Sequence, residues 1–237
     1  MSFDPNIYNL HLNEKKIERI GEDCKEKYFK FLGMRIDEFM TWKYHIDHVR
    51  SKVSVGNSIL NRTKNFLPLN VRKALYSSLV KSQINYGILF YGNNASVKQI
   101  EKHQKKCIRN IAKGGYISHS DPMFTNLKLL KFKDILEFES LIFMFKYTKN
   151  LHPNSITGMF KFLSNTNRTN SFEVLKVNGK FLEKFPSSYL PKVWNTLPLN
   201  IKLTPTLKSF KKQIKSKYIS NYESFKCQKR NCFSCNG

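Results

Sequence analysis

Apolar and polar residues change rhythm along this chain, and each change predicts a different kind of element. Over residues 7–36 the period is two. Tyr8, Leu10 and Leu12 alternate with polar neighbours, Asn13-Glu14 offers a turn, and Ile17 and Ile20 resume the alternation. A second run, residues 28–36, sets Phe29, Phe31 and Leu32 around Gly33. Short alternating runs parted by polar turns predict a small β-meander, read as the edge of a sheet whose other strands lie elsewhere.

From residue 42 to 150 the period becomes helical. Ile46, Val49, Val53 and Leu60 recur near helical spacing, and Pro68 breaks the run. Asn70 is placed to cap a helix carrying Val71, Leu75, Leu79 and Ile84. Ser96 and Gln99 have capping-box spacing ahead of Val97, Ile100, Gln104, Cys107 and Ile111, and Gly114-Gly115 marks that helix's end. Asp121-Pro122 reads as an N-cap followed by proline at the first helical position. Residues 135–147 are apolar on nearly all sides, which predicts a buried central helix. Periodicity is then lost over 151–190, where two short strands are expected near 173–177 and 180–185. A last helix follows Thr204-Pro205, with Leu207, Phe210, Ile214 and Tyr218 as its apolar stripe. The fold class is therefore mainly α with a small N-terminal β-meander. Its divisions are an N-terminal unit over 1–40, a helical domain over 41–150, a loop-rich connector over 151–205, and a basic helix with a Cys-containing tail over 206–237.

Charge sharpens this picture. The 237 residues carry 41 Lys+Arg against 17 Asp+Glu, a net +24, and 19 Phe give ample material for a core. Residues 174–237 alone hold 13 Lys+Arg and 2 Asp+Glu, a difference of +11. A folded domain so charged repels itself unless a polyanion offsets it, which favours nucleic acid over an acidic protein or a membrane surface. The longest apolar run, residues 141–145, is far shorter than a membrane span. The first ten residues lack the pattern of a signal peptide. Five irregularly spaced cysteines fit a reducing compartment, so an intracellular location, cytoplasm or nucleus, is expected.

Candidate chemistry is sparse. The sequence contains no nucleophile elbow, Walker loop, dinucleotide glycine fingerprint, HExxH helix or Asp-Asp pair. The adjacent acids Glu22-Asp23 and Asp37-Glu38 read as loop polarity, and His45 and His48, with Asp47 between them, as structural or surface histidines. His119 reads as serving the turn before Asp121. Cys227, Cys232 and Cys235 end in a CxxC spacing that suits a structural zinc, although a closed site takes four ligands. The final helix sets Lys208, Lys211, Lys212, Lys215 and Lys217 beside Tyr218 and Tyr222, a plausible run of phosphate contacts.

Several words in this order resemble one family. Tyr28-Phe29-Lys30-Phe31-Leu32-Gly33, then Asp37, Trp42, His45 and Ile46, resembles the stretch after the palm in reverse transcriptases of LINE-type non-LTR retrotransposons. The similarity runs on through Phe66-Leu67-Pro68, Leu75-Tyr76 with Leu79, Asn85-Tyr86-Gly87, Tyr91-Gly92-Asn93, and Gln104 with Lys106 and Arg109. It returns at His119-Ser120 with Pro122, residues 143–147, Trp194-Asn195-Thr196-Leu197-Pro198, and Ser209-Phe210-Lys211-Lys212. It covers about residues 7–220. The resemblance implies a palm edge and primer-grip hairpin over 1–40, with Phe31, Leu32 and Gly33 at the primer 3′ end. It implies a thumb-like helical domain over 41–150. Template–primer RNA or DNA would be bound through Lys105, Lys106 and Arg109 and, further on, Lys208, Lys211, Lys212 and Lys215. The family's catalytic Asp-Asp motif belongs to the palm, and nothing here matches it. The connector also departs from the family at Asn165-Thr166-Asn167-Arg168 and Leu190-Pro191. The expected function is thus a nucleic-acid-binding C-terminal part of an RNA-directed DNA polymerase, not itself catalytic and needing no cofactor. The alternatives are a co-opted basic protein-interaction module and a non-functional translated remnant.

Overall fold

The computed structural model describes residues 11–12, 14–16, 20–21, 24–163, 170–176 and 182–223. The chain is mostly helical with a small antiparallel β region at its N-terminal end. That β region consists of two separate hairpins. Strands β1 (His11–Leu12) and β2 (Lys15–Lys16) form one, and β3 (Phe29–Phe31) and β4 (Met34–Ile36) the other. In the second, Phe29, Lys30 and Phe31 face Ile36, Arg35 and Met34. Its two-residue turn puts both Leu32 (φ 46°) and Gly33 (φ 82°) in the left-handed region, the condition for matching strand twist. Glycine adopts this freely; at Leu32 it costs roughly 1–2 kcal/mol.

Helix α1 (Lys43–Thr63) starts on a buried carboxylate: Asp37 accepts N–H bonds from Thr41 and Trp42 at 2.8 Å each, satisfying donors at the helix entry. Its inward stripe is Ile46, Val49, Val53, Gly56 and Leu60. Helix α2 (Leu69–Tyr76) continues through a π-helical turn, Ser77–Lys81, into α3 (Ser82–Asn85). The sequence supplies a cause for the widened turn. Ser77, Ser78 and Ser82 donate their hydroxyls back to the carbonyls of Lys73, Ala74 and Ser78, competing with the ordinary backbone ladder. Pro68, not Asn70, occupies the N-cap of α2; Asn70 lies inside the first turn, because the extended backbone at proline already sets the chain's entry.

α1 meets the π turn closely. A Cβ on Gly56 would sit 2.8 Å from Val80 Cγ2 and 3.3 Å from the Leu79 carbonyl. Gly56→Val is therefore expected to lower stability by about 1–3 kcal/mol, the usual cost of overpacking. Urea unfolding measures this, and an unchanged midpoint would contradict the close approach.

After α4 (Ile88–Tyr91), the Asn94 side chain accepts from Ser96 N at 2.9 Å and caps a 3₁₀ turn that leads into α5 (Lys98–Ala112). The expected glycine stop is set one residue early. Lys113 takes the left-handed conformation (φ 55°), and Gly114 N then bonds the Arg109 carbonyl at 2.9 Å. The buried Arg72 guanidinium bonds the Ile111 carbonyl, satisfying an acceptor at the C-terminal end of α5. In α6 (Asp121–Leu127), Ser120 rather than Asp121 is the N-cap, so the start lies one residue earlier than Asp121-Pro122 suggests.

Helix α7 (Phe132–Thr148) has buried residues on several sides because it serves two cores. Its first half joins α1, the α2–α3 helix, α5 and α6 around Tyr76, Tyr91, Ile108 and Phe124. Its second half, through Leu141, Met144 and Phe145, joins Phe160, Phe172, Leu190, Trp194, Phe210 and Ile214. That second core changes the reading of the connector, which holds α8 (Pro186–Asn195) and α9 (Leu199–Lys202). The strand expected over 180–185 is corrected where it is described: Leu182–Lys184 form a 3₁₀ turn. The strand expected over 173–177 is likewise corrected: described residues 173–176 form no strand, and an isolated bridge pairs Phe162 with Phe172 just before them. The Trp194-Asn195 word fastens this segment: the Asn195 amide brackets Phe172 N and O at 2.9 and 2.8 Å, and Trp194 Nε1 donates to the Asn170 carbonyl at 2.8 Å. Helix α10 (Leu207–Glu223) closes the fold with Phe210, Ile214 and Tyr222 buried. Among the described residues no helix is long and apolar enough to cross a membrane.

Candidate nucleic-acid interface

Three surfaces bring positive charge together, and the first is the β3–β4 hairpin. Its turn leans on the Asn85-Tyr86-Gly87 segment: the Tyr86 hydroxyl donates to the Leu32 carbonyl, and Met34 packs against Gly87, whose φ of 67° needs glycine. Gly33 lies 3.6 Å from the Tyr86 ring by its would-be Cβ. Two segments 54 residues apart in sequence are thus one unit. The hairpin exposes Phe29, Phe31 and Leu32, the last at 75 %. Lys30, Arg35, Lys52 and His48 lie close by. Burial, then the charges of Arg35, Lys52 and Lys30, holds the His48 imidazole below its ordinary range. Arg35 also sits over the Tyr28 ring, 5.0 Å from its centroid.

The second surface is α5. Its buried side is Ile100, Gln104, Cys107, Ile108 and Ile111. Gln104 Nε2 donates to the Tyr76 hydroxyl at 2.9 Å and the Leu130 carbonyl at 3.1 Å, so this member of the family-like words is a core bond. Lys98, Lys102 and Lys105 are exposed and recur at intervals of four and three, continuing through Arg109 to exposed Lys113. The sequence-predicted trio therefore separates. Lys105 stands on this outer stripe. Lys106 is half-buried beside His103, whose imidazole is held low by burial and then by Lys106 and Arg50. Arg109 donates from Nε to the Ser118 carbonyl at 2.7 Å. Lys98, Lys102 and Lys113 were legible from spacing alone, because the positions share one helical face.

The third surface is α10. Lys208, Lys211, Lys212 and Lys215 are exposed. Lys215 is held below its ordinary range by partial desolvation and then by Lys81, Lys73 and Lys128, which places two lysines of the α2–α3 helix and one from the end of α6 near it. Tyr218 and Tyr222 do not accompany these lysines outward. Tyr218 donates to Glu137 Oε2 at 2.9 Å and Tyr222 to Asp134, tying α10 to α7; their aromatic faces contribute to packing instead of an outer surface.

His45 and His48 occupy different faces of α1. His45 is buried against Trp42 and Tyr91, with neither ring nitrogen hydrogen-bonded, whereas His48 is half-buried beside basic groups. His119 Nε2 lies 3.7 Å from Asp121 Oδ2, at the turn as expected. Among the described residues no group of three or more His, Cys, Asp or Glu side chains is arranged to hold a metal. Cys227, Cys232 and Cys235 lie outside the described residues. No protein-family model, curated protein or solved structure matches the chain.

Proposed function

We propose that this chain is a nucleic-acid-binding, thumb-like C-terminal part of a LINE-type reverse transcriptase, holding template and primer without a catalytic site of its own. The observation that carries the reading is the β3–β4 hairpin. Exposed Phe29 and Phe31 project from one face of the hairpin, and the cross-strand pair Lys30 and Arg35 from the other, near His48 and Lys52, on a turn that carries exposed Leu32 and is braced by Tyr86. Aromatic rings and cations carried by one small hairpin suit a nucleic-acid strand, whose bases stack while its phosphates pair. The resemblance gives that hairpin a role at the primer end, and the lysines of α5 and α10 supply cations for the backbone. The sequence contains no Asp-Asp pair for two-metal phosphoryl transfer, so DNA synthesis is not assigned to these residues. A structural zinc held by Cys227, Cys232 and Cys235 is part of the proposal, with the fourth ligand of a closed tetrahedral site unassigned.

Titrating binding to an RNA–DNA hybrid against salt tests the reading. Affinity is expected to fall linearly on a log–log plot, and Lys102→Ala with Lys105→Ala to reduce that slope by roughly two, as two phosphate contacts are lost. Failure to bind RNA, DNA or hybrid at low salt, with capture of an acidic protein instead, would replace it with the protein-interaction reading.

A further inference from the structure

The segment between α5 and α6 carries a feature that the hairpin and the lysines do not account for. Ser118 N bonds the Gly115 carbonyl at 3.1 Å, closing a β-turn whose central residues are Tyr116 and Ile117. They are 80 % and 88 % exposed, the latter the most exposed large apolar residue described. Turn centres ordinarily take Gly, Pro, Asn, Asp or Ser, whose conformations and local hydrogen bonds suit the bend. Here a phenol and a branched aliphatic side chain stand there with no core contact.

The turn is firmly mounted. Arg109 Nε donates to the Ser118 carbonyl at 2.7 Å, and Gly114 N bonds the Arg109 carbonyl at 2.9 Å. Gly114 lies against the tip of the Met123 side chain of α6. Both ends are therefore fixed, one to α5 and one to α6. Arg109 also links the turn to the outer stripe of Lys98, Lys102, Lys105 and Lys113. That stripe runs along a helix of 15 residues, about 22 Å at 1.5 Å per residue. One nucleic-acid strand presents a phosphate charge about every 3.4 Å of helix axis, so roughly six phosphates span the same length. Four lysines stand against them.

We propose that the Tyr116-Ile117 turn is a stacking wedge that receives unpaired bases where a nucleic-acid duplex opens, while the α5 stripe holds the adjoining phosphates. The proposal rests on the nucleic-acid reading above. Inside a duplex each base face is covered by its neighbours. At a frayed end or a single-strand junction one face is free, and a tyrosine ring fits it whatever the base. An aliphatic neighbour then separates the next step, as apolar wedges do elsewhere. A polyanion is the partner that the charge of the stripe selects.

The test uses the full chain and three probes: a blunt RNA–DNA hybrid, the same hybrid with a single-stranded overhang carrying 2-aminopurine at the junction, and anionic lipid vesicles. Both side chains are exposed, so Tyr116→Ala and Ile117→Ala leave the core untouched, and circular dichroism checks this. The wild-type chain is expected to prefer the overhang probe and to alter 2-aminopurine fluorescence. Tyr116→Ala should weaken overhang binding by roughly 5- to 150-fold, the range for losing one stacked base, and abolish the fluorescence change. Its blunt-hybrid affinity should stay within about twofold, and Tyr116→Phe should behave as wild type. Equal overhang affinity for wild type and Tyr116→Ala overturns the proposal while leaving the nucleic-acid reading standing. So does vesicle binding that depends on Tyr116 when overhang binding does not. Absence of binding to either nucleic-acid probe overturns both.

Discussion

Trp194→Ala is expected to lower stability by about 3–5 kcal/mol, the range for removing a fully buried aromatic side chain. Trp194 has no exposed surface and is the largest fully buried residue of the C-terminal core. Its ring meets Phe172 at 6.4 Å and Phe210 at 6.1 Å between centroids, and its Nε1 donates to the Asn170 carbonyl. Alanine removes the apolar volume, opens a cavity among rings that cannot close over it, and leaves that carbonyl without its donor. Trp194→Phe separates these effects: most of the volume returns and the hydrogen bond does not, so a loss of about 1–3 kcal/mol is expected. Domains of ordinary stability have roughly 5–15 kcal/mol in total. The alanine variant should therefore unfold at markedly lower urea. The chain has two tryptophans, so this variant keeps Trp42 alone, which packs on the first core. Because α7 carries both cores, Trp42 emission and far-ultraviolet circular dichroism are expected to shift together. A midpoint equal to wild type would refute the placement of Trp194. Non-coincident curves would refute the coupling through α7.

The parts legible in the sequence are those where one local signal decides the outcome. The inward stripe of α1, the all-round apolar character of α7 and the Leu207-Phe210-Ile214 stripe of α10 all follow from helical period. The Gly33 turn follows from one residue that tolerates positive φ. Helix α8 was less legible because Pro186, Pro191 and Pro198 look like breaks, and Ser187 and Ser188 dilute the apolar pattern. Burial of Leu190 and Trp194 in an aromatic core outweighs that weak propensity. The π turn was less legible because serine back-bonding is a weak local preference and the close approach at Gly56 acts only once the helices are packed. In the candidate interface, the charge pattern pointed to α10 and the family resemblance to α5, but neither said which side chains stay outside. Arg109 differs from Lys105 through its bond to the Ser118 carbonyl beyond the helix end, and Lys106 through its half-buried place beside His103, which the Arg50 charge of α1 also reaches. Tyr218 and Tyr222 turned inward because Glu137 and Asp134 wait on α7, a pairing no spacing rule supplies.

His45→Leu is expected to be at least as stable as wild type above pH 7 and to gain about 2–3 kcal/mol over it by pH 4.5. His45 is 1 % exposed and neither ring nitrogen has a hydrogen-bond partner, so a leucine forfeits no polar contact. Burial, then the neighbouring charges of His48 and Arg35, lowers the imidazole from 6.5 to about 4. The sign follows from where protons go. Between pH 4 and 6.5 the unfolded chain binds this proton and the folded chain does not, so wild-type stability rises with pH across that window. The contribution is fully present above pH 6.5 and drains away as the pH falls toward 4. Asp134 and Glu139, whose carboxyls burial raises, contribute the opposite slope, and His48 and His103 add to the same one. The difference between wild type and His45→Leu cancels those shared terms, which makes it the quantity to measure, by urea unfolding at half-unit pH steps. Parallel stability curves for the two proteins would mean that His45 takes up its proton without leaving the fold. A gap that widens toward acid would locate the chain's acid sensitivity in the aromatic box where α1 meets Tyr91.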